Sequence, residues 1–365
     1  VDEVQYELPA ELIAQRPAEK REEARLMHLP PGAGVEHRTM RDLPELLPPG
    51  ALVVVNDTRV VPARLIGRKR GSGGKTEVFL VRRLEGKREV EGRPAAVFRA
   101  LGKSSKPLRF GTELEVAARG AEEAGGPRLI LHLLGRSEDD GLLEVAAWTP
   151  DGSPVDEALR ACGHVPLPPY IKRDDDSDDI DRYQTVYARH DGAVAAPTAG
   201  LHLSNALLGR LAVRGCELAS VTLHVGLGTF QPVTAEDFSA HPMHAERFVV
   251  TEAAASAIAA ARCRGSPVIA IGTTTVRALE SAARAEAPGL VSSASGDTRL
   301  LIQPGHQWRV VDGLLTNFHL PRSTLLAMVC AFGGTERVLA AYRAAVEERY
   351  RFYSYGDGML LWRGQ

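Results

Sequence analysis

Two rhythms of hydrophobic and polar positions alternate along this chain. Ala51-Leu-Val-Val-Val55 and Pro267-Val-Ile-Ala-Ile271 are short unbroken apolar runs, the pattern of strands covered on both faces. Ala253 to Arg264 and Val276 to Ala287 have the composition and length of helices. Between about residues 67 and 155 the pattern changes. Thr76 to Arg82, Ala95 to Arg99, Thr112 to Val116, Arg128 to Leu134 and Leu142 to Ala146 are short β-prone stretches, separated by Gly-rich connections such as Gly71-Ser-Gly-Gly74. Regular short strands with turn signals predict a small sandwich or barrel. The expected fold class is α/β: a layered main domain of strands and helices, residues 1–66 and 156–365, with a small all-β, barrel-like domain inserted at 67–155. There is no internal repeat and no low-complexity tail.

Composition narrows the class. The chain has 365 residues, 44% hydrophobic and 25% charged, which suits a globular protein with a large core. Cys162, Cys216, Cys263 and Cys330 form no C-x-x-C pair, so reduced thiols are expected rather than a zinc ribbon or a redox pair. Val1 to Glu7 has neither a basic nor an apolar leader region, and no apolar run reaches the roughly 18 residues needed to span a bilayer. A soluble, cytoplasmic monomer without a membrane partner is expected. The net charge of −2 hides an asymmetry: Arg64 to Arg136 holds 17 Lys and Arg against 8 Asp and Glu, a local charge of +9. A basic module on an acidic body points to a polyanionic partner. The acidic run from Asp174 to Asp181 lacks the Gly and Glu of a calcium loop and reads as solvated.

Candidate chemistry gathers between about residues 196 and 320. His202, His224, His241, His244 and His319 each lie in a run rich in turn and polar residues. Imidazole titrates nearest neutral pH and serves proton transfer or metal binding. The strand ending at Ile271 runs through Gly272, Thr273 and Thr274 into a helix, the layout of an anion site at a helix N-terminus. Arg277, on the first turn, is expected to hold the anionic group through a two-pronged hydrogen bond. No third glycine completes a dinucleotide fingerprint, and no Walker A lysine is present. His241, His244 and Glu246 are zinc-ligand types, but the histidines stand three apart beside a proline rather than four apart on a helix. A base or hydrogen-bonding role for His244 and Glu246 is expected instead, and no metal.

The motifs, taken in order, resemble one family. Asn56 to Gly67, Gly163 to Ile171, Tyr183 to Tyr187, Ala193 to His202, Val221 to Phe230, Gly272 to Ser281, Thr316-Asn-Phe-His-Leu-Pro-Arg-Ser-Thr-Leu325 and Tyr350-Arg-Phe-Tyr-Ser-Tyr-Gly-Asp357 are similar to the S-adenosylmethionine:tRNA ribosyltransferase-isomerases of queuosine biosynthesis. The likeness runs from about Tyr6 to Asp357, with Leu203 where that family usually has Phe. It implies transfer and isomerisation of the ribosyl part of S-adenosylmethionine onto the aminomethyl group of a 7-deazaguanine at the tRNA wobble position. The products are epoxyqueuosine, adenine and methionine, with no metal and no cofactor beyond S-adenosylmethionine as co-substrate. Abstracting a hydrogen beside the sulfonium needs a neutral His or a carboxylate, and the departing adenine needs a proton donor.

His202, His224, His244, Glu246 and His319 are the expected catalytic groups. Thr198, Gly200, Gly226, Gly228 and Thr229 are expected to hold substrate, as are Gly272, Thr273, Thr274, Arg277, Glu280 and Asn317. Arg59, Arg64, Arg68, Lys69 and Arg70 are expected to meet the tRNA backbone. The alternatives are a tRNA-binding protein without chemistry and a metal-dependent hydrolase centred on His241, His244 and Glu246. Replacing His224 or His244 by Ala should lower turnover by about 10²–10⁴-fold while the fold survives. Near-normal turnover in both variants would remove these histidines from the mechanism.

Overall fold

The structure is a computed structural model that describes residues 4–364, apart from 87, 91, 120–125, 127 and 227–244. The chain forms two compact units: Val1–Arg59, Pro168–Arg173 and Asp181–Gln365 make the first, Val60–Leu167 and Asp174–Ile180 the second.

A nine-stranded sheet organises the first unit. Its order is Ala294–Thr298, Glu246–Val250, Glu217–Leu223, Leu52–Asn56, Val268–Ile271, Gly313–Asn317, Gly358–Trp362, Arg25–Leu29 and Glu36–Thr39. The four strands from Glu217–Leu223 to Gly313–Asn317 run parallel. Leu52–Asn56, Val268–Ile271 and Gly313–Asn317 are buried at every position, the first two as their apolar runs require. Successive side chains take opposite faces. Leu52, Val54, Val268, Ala270 and Leu314 join a core with Ile258, Val276, Leu279 and Met328. Val53, Val55, Ile269, Ile271 and Leu315 join another with Leu43, Leu203, Leu207 and Leu211.

The expected helices form with shifted ends. Glu252–Cys263 starts where the Thr251 hydroxyl accepts from the Ala254 amide at 3.2 Å. The second helix is Thr273–Ser281, three residues earlier than expected and six shorter at its end. It stops because Ala283 bridges Val291 and the Ala282 carbonyl accepts from Ser292, so the chain leaves the helix to pair. Among the described residues no single helix is long and apolar enough to cross a membrane.

The second unit is a closed antiparallel barrel. Leu143–Trp148, Arg128–Arg136, Glu113–Ala117, Arg64–Lys69, Lys75–Arg83 and Arg93–Ser104 pair in that order, and Leu143–Trp148 returns to Arg93–Ser104. Closure leaves those strands without a free edge, while Arg88–Val90 pairs outside the ring. Each of the five expected β-prone stretches falls in one of these strands. The α/β body with a barrel expected from the pattern is the fold observed. Residues 67–155 lie within the second unit, which also holds Arg64–Lys69, because that strand hydrogen-bonds to both Lys75–Arg83 and Glu113–Ala117.

Candidate active site

A cavity of about 400 Å³ opens at the carboxyl ends of the parallel strands. Open α/β sheets bind ligands there, because the loops leaving the strands converge at that edge. Thr198, Val225, Gly272 to Thr274, Asn317 to Ser323, Tyr170, Tyr353 and Ser354 contribute to the wall. Among the described residues the wall carries no carboxylate. Of the residues expected to act, Thr198, Gly272, Thr273, Thr274, Asn317 and His319 meet here. Gly272 has φ 89° and ψ 154°, a backbone open in practice only to glycine, which lets the chain turn from the strand straight into the helix. Arg322 and Tyr353, at φ 56° and 73°, hold left-handed backbone on the same wall, a strain that tends to gather at functional sites.

His319 is the histidine on the wall. Its amide donates to the Tyr342 hydroxyl at 3.1 Å, and its carbonyl accepts from the Tyr6 hydroxyl at 2.5 Å. Its Nε2 lies 2.7 Å from Thr316 Oγ1. Burial holds the imidazole neutral, pushed down to about 3. His202 sits behind Asn317, outside the cavity lining. Asn317 Nδ2 donates to the Tyr353 carbonyl at 3.1 Å and to His202 Nε2 at 3.2 Å. The Tyr353 carbonyl can only accept, so the amide end faces it, and His202 Nε2 must then accept with its proton on Nδ1. Burial, reinforced by Arg21 and Arg351, pushes His202 down to about 3.

Two further segments reach the cavity through Asn56. This buried side chain donates to the Leu223 carbonyl at 2.9 Å and to Thr274 Oγ1 at 3.0 Å, and accepts from the Leu223 amide at 3.0 Å. His224 is outside the lining, although Val225 is part of it. Its Nδ1 lies 2.8 Å from Thr58 Oγ1, and burial, helped by His190 and Arg247, lowers its affinity for a proton.

Several expected residues are committed elsewhere. Arg277 is not part of the described cavity lining: it forms a buried ion pair with Glu246, and its Nε donates to the Leu300 carbonyl at 3.1 Å. Burial lowers the Arg277 guanidinium to about 10. Glu246 also accepts from the Gly226 amide at 3.0 Å. Glu280 accepts from the amides of Arg309, Val310 and Val311 at 3.0, 3.0 and 3.2 Å. Burial pushes its carboxyl up, but His306 and these amides outweigh that and hold it below the usual range. Gly200 is a close-packing glycine, since a Cβ there would stand 2.1 Å from Tyr187 Oη. His244, Gly228 and Thr229 lie outside the described residues, as does His241.

The cations expected to meet tRNA divide in the same way. Arg59 pairs with Asp191 at 3.5 Å, Arg64 with Glu77 at 3.0 Å and Arg70 with Glu113 at 3.1 Å. Arg68 stands exposed, and Lys69 Nζ donates to the Lys106 carbonyl at 3.4 Å. Sequence reasoning gave no role to Asn56, Tyr6, Tyr170, Tyr342 or Tyr353. All but Tyr6 and Tyr342 stand in the recognised motifs, so the signal was present but carried no chemistry of its own.

A cavity at the strand ends, mostly apolar with a few convergent polar groups and the His319 imidazole on its wall, is the layout of a small-molecule site in an α/β enzyme. The comparisons are specific. The profile of the family described as Queuosine biosynthesis protein matches residues 1–361, and the chain belongs to that family. It is 58% identical to the S-adenosylmethionine:tRNA ribosyltransferase-isomerase of Sorangium cellulosum, over 98% of this chain and 96% of the relative. It is 51% identical to the protein of that name from an Anaeromyxobacter species, over 98% and 97%. The crystal structure of S-adenosylmethionine tRNA ribosyltransferase from Thermotoga maritima superimposes with a TM-score of 0.53 at 35% identity, covering 98% of this chain and 99% of that one. The resemblance drawn from the motifs therefore holds.

Two outcomes follow from the geometry. Gly200→Ala should destabilise the protein by about 1–3 kcal/mol through overpacking against Tyr187, and Tyr187→Phe should recover part of the loss. Urea unfolding of the single and double variants checks it, and a neutral Gly200→Ala would refute the packing role. Because His202 and His319 have folded pKa values near 3, below their unfolded value of about 6.5, their contribution to stability is complete above pH 6.5. It is lost as pH falls toward 3, by up to about 1.4 kcal/mol per pH unit for each histidine. His202→Gln should flatten the stability profile between pH 6.5 and 4 by about one proton. An unchanged slope would mean that His202 is protonated in the folded protein.

Proposed function

We propose that this chain is an S-adenosylmethionine:tRNA ribosyltransferase-isomerase. It transfers and isomerises the ribosyl moiety of S-adenosylmethionine onto the aminomethyl group of 7-aminomethyl-7-deazaguanine in tRNA, giving epoxyqueuosine-tRNA, adenine and methionine. The observation that carries this reading is the 58% identity across nearly the whole chain to a relative of that name. The cavity takes S-adenosylmethionine, its volume lying within the usual range of about 300–1,000 Å³ for small-molecule sites. Thr273 and Thr274 present the helix N-terminus to an anionic group of the substrate.

His319 is the proton-transfer group, since it is the histidine of the described wall and its backbone is clamped by two tyrosines. His202 holds Asn317 in place. His224 and Glu246 flank the 227–244 segment, which carries His244. The basic barrel receives the tRNA in a cytoplasmic enzyme.

The test supplies S-adenosylmethionine and a tRNA carrying the aminomethyl deazaguanine, and follows free adenine. Adenine release that depends on that tRNA is expected. It should fall by about 10²–10⁴-fold in His319→Ala. The tRNA Michaelis constant should rise steeply with salt, while that for S-adenosylmethionine changes little. Adenine release without the modified tRNA, or none at all, would overturn the proposal.

A further inference from the structure

The pairing register of the barrel assigns one of its outer faces. Strands Arg64–Lys69 and Lys75–Arg83 align Arg64 with Phe79, Ile66 with Glu77 and Arg68 with Lys75. The next strand aligns Lys103 with Glu77 and Leu101 with Phe79. Leu65, Thr76, Val78 and Leu80 are buried inside, so the alternating set points outward. Three apolar side chains thereby lie across adjacent strands: Ile66 and Phe79 are half-buried, and Leu101 is 43% exposed. Cations border them. Arg68, Lys75 and Lys103 are exposed, and none forms an ion pair among the described residues. Glu77, the acidic residue between them, is drawn to Arg64 at 3.0 Å.

A shallow apolar patch with an aromatic ring and a cationic rim matches the chemistry of an unpaired nucleotide. A base offers a flat face to the ring, while its phosphates meet the cations. A paired duplex hides those faces. A lipid surface instead takes apolar groups that stand clear of the surface, and Phe79 and Ile66 do not. We propose that the outer face of Arg64–Lys69, Lys75–Arg83 and Arg93–Ser104 is a platform for an unpaired nucleotide of the tRNA. Phe79 and Leu101 lie beneath the base, and Arg68, Lys75 and Lys103 face the phosphates. This rests on the proposed tRNA substrate.

The test uses the full chain and three probes: a labelled anticodon-arm hairpin, a fully paired duplex of equal length, and vesicles of phosphatidylserine in phosphatidylcholine. The hairpin should bind in preference to the duplex. Phe79→Ser with Leu101→Ser should weaken hairpin binding by about tenfold, in keeping with the loss of base stacking. Lys75→Glu with Lys103→Glu should weaken it and flatten its salt dependence. Phe79→Leu, which removes the ring but keeps an apolar side chain, serves if the serine variant does not fold.

Hairpin binding unaltered by all these changes would overturn the platform and leave the tRNA reading standing. Equal affinity for hairpin and duplex would overturn stacking. No binding to hairpin or tRNA by the unaltered protein would bring down the tRNA reading itself. Vesicle binding without hairpin preference, abolished by Phe110→Ser on the adjoining loop where Phe110 is 76% exposed, would assign the region to lipid.

Discussion

The cavity depends on the carboxamide of Asn56. A buried amide is stable only when its donors and acceptor are all engaged, and this one engages three pieces of chain at once. It holds Leu223 by both backbone groups, the turn at Thr58 by its amide, and the helix start at Thr274 by its hydroxyl. Two strand ends and a helix N-terminus are thus fixed relative to one another. The wall from Val225 to Thr274 is set by these bonds, and the large apolar cores beneath only bring the strands into range. Satisfying one buried polar group therefore orders this rim of the cavity.

Charge is handled differently on the two sides of that rim. Behind it, ionised groups are buried in compensated sets: Glu246 with Arg277, Glu280 with three amides, and Asp357 with the amides of Arg25 and Arg351. Such sets are costly to assemble and costlier to break, so they fix loop positions firmly. On the cavity side the described wall carries hydroxyl, amide, aromatic, aliphatic and imidazole groups with one guanidinium, Arg322, and no carboxylate.

The barrel solves a separate problem. Its inward side chains supply a core of their own, including Leu65, Val78, Leu114, Leu131 and Val145. Many of its outward positions, Arg68, Lys75 and Lys103 among them, are therefore free to carry cations without burying them. Much of the excess positive charge is nevertheless tied up locally, Arg64 and Arg70 being bound to carboxylates of the same unit. What reaches solvent unpaired is a smaller set, selected by strand register. A count of charges along the sequence does not distinguish the two.

The pattern of residues along the chain sets the fold class, the buried strands and the barrel, because those follow from the period of apolar positions. It also determined the family, because long motifs survive in fixed order. It placed Gly272, Thr273, Thr274, Asn317 and His319 in one region, where the cavity lies. It could not tell a wall residue from one standing a layer behind. His202 and His319 look alike as sequence, yet one backs Asn317 and the other faces the cavity. Arg277 has the right position for a substrate clamp, but Glu246, thirty-one residues away, takes its guanidinium. Gly200 reads as a ligand loop, and its missing side chain lets Tyr187 approach. In each case the deciding partner is distant in the chain and near in space. Local pattern fixes which backbone forms, whereas the partner of a buried polar side chain is set only when the strands and helices have packed.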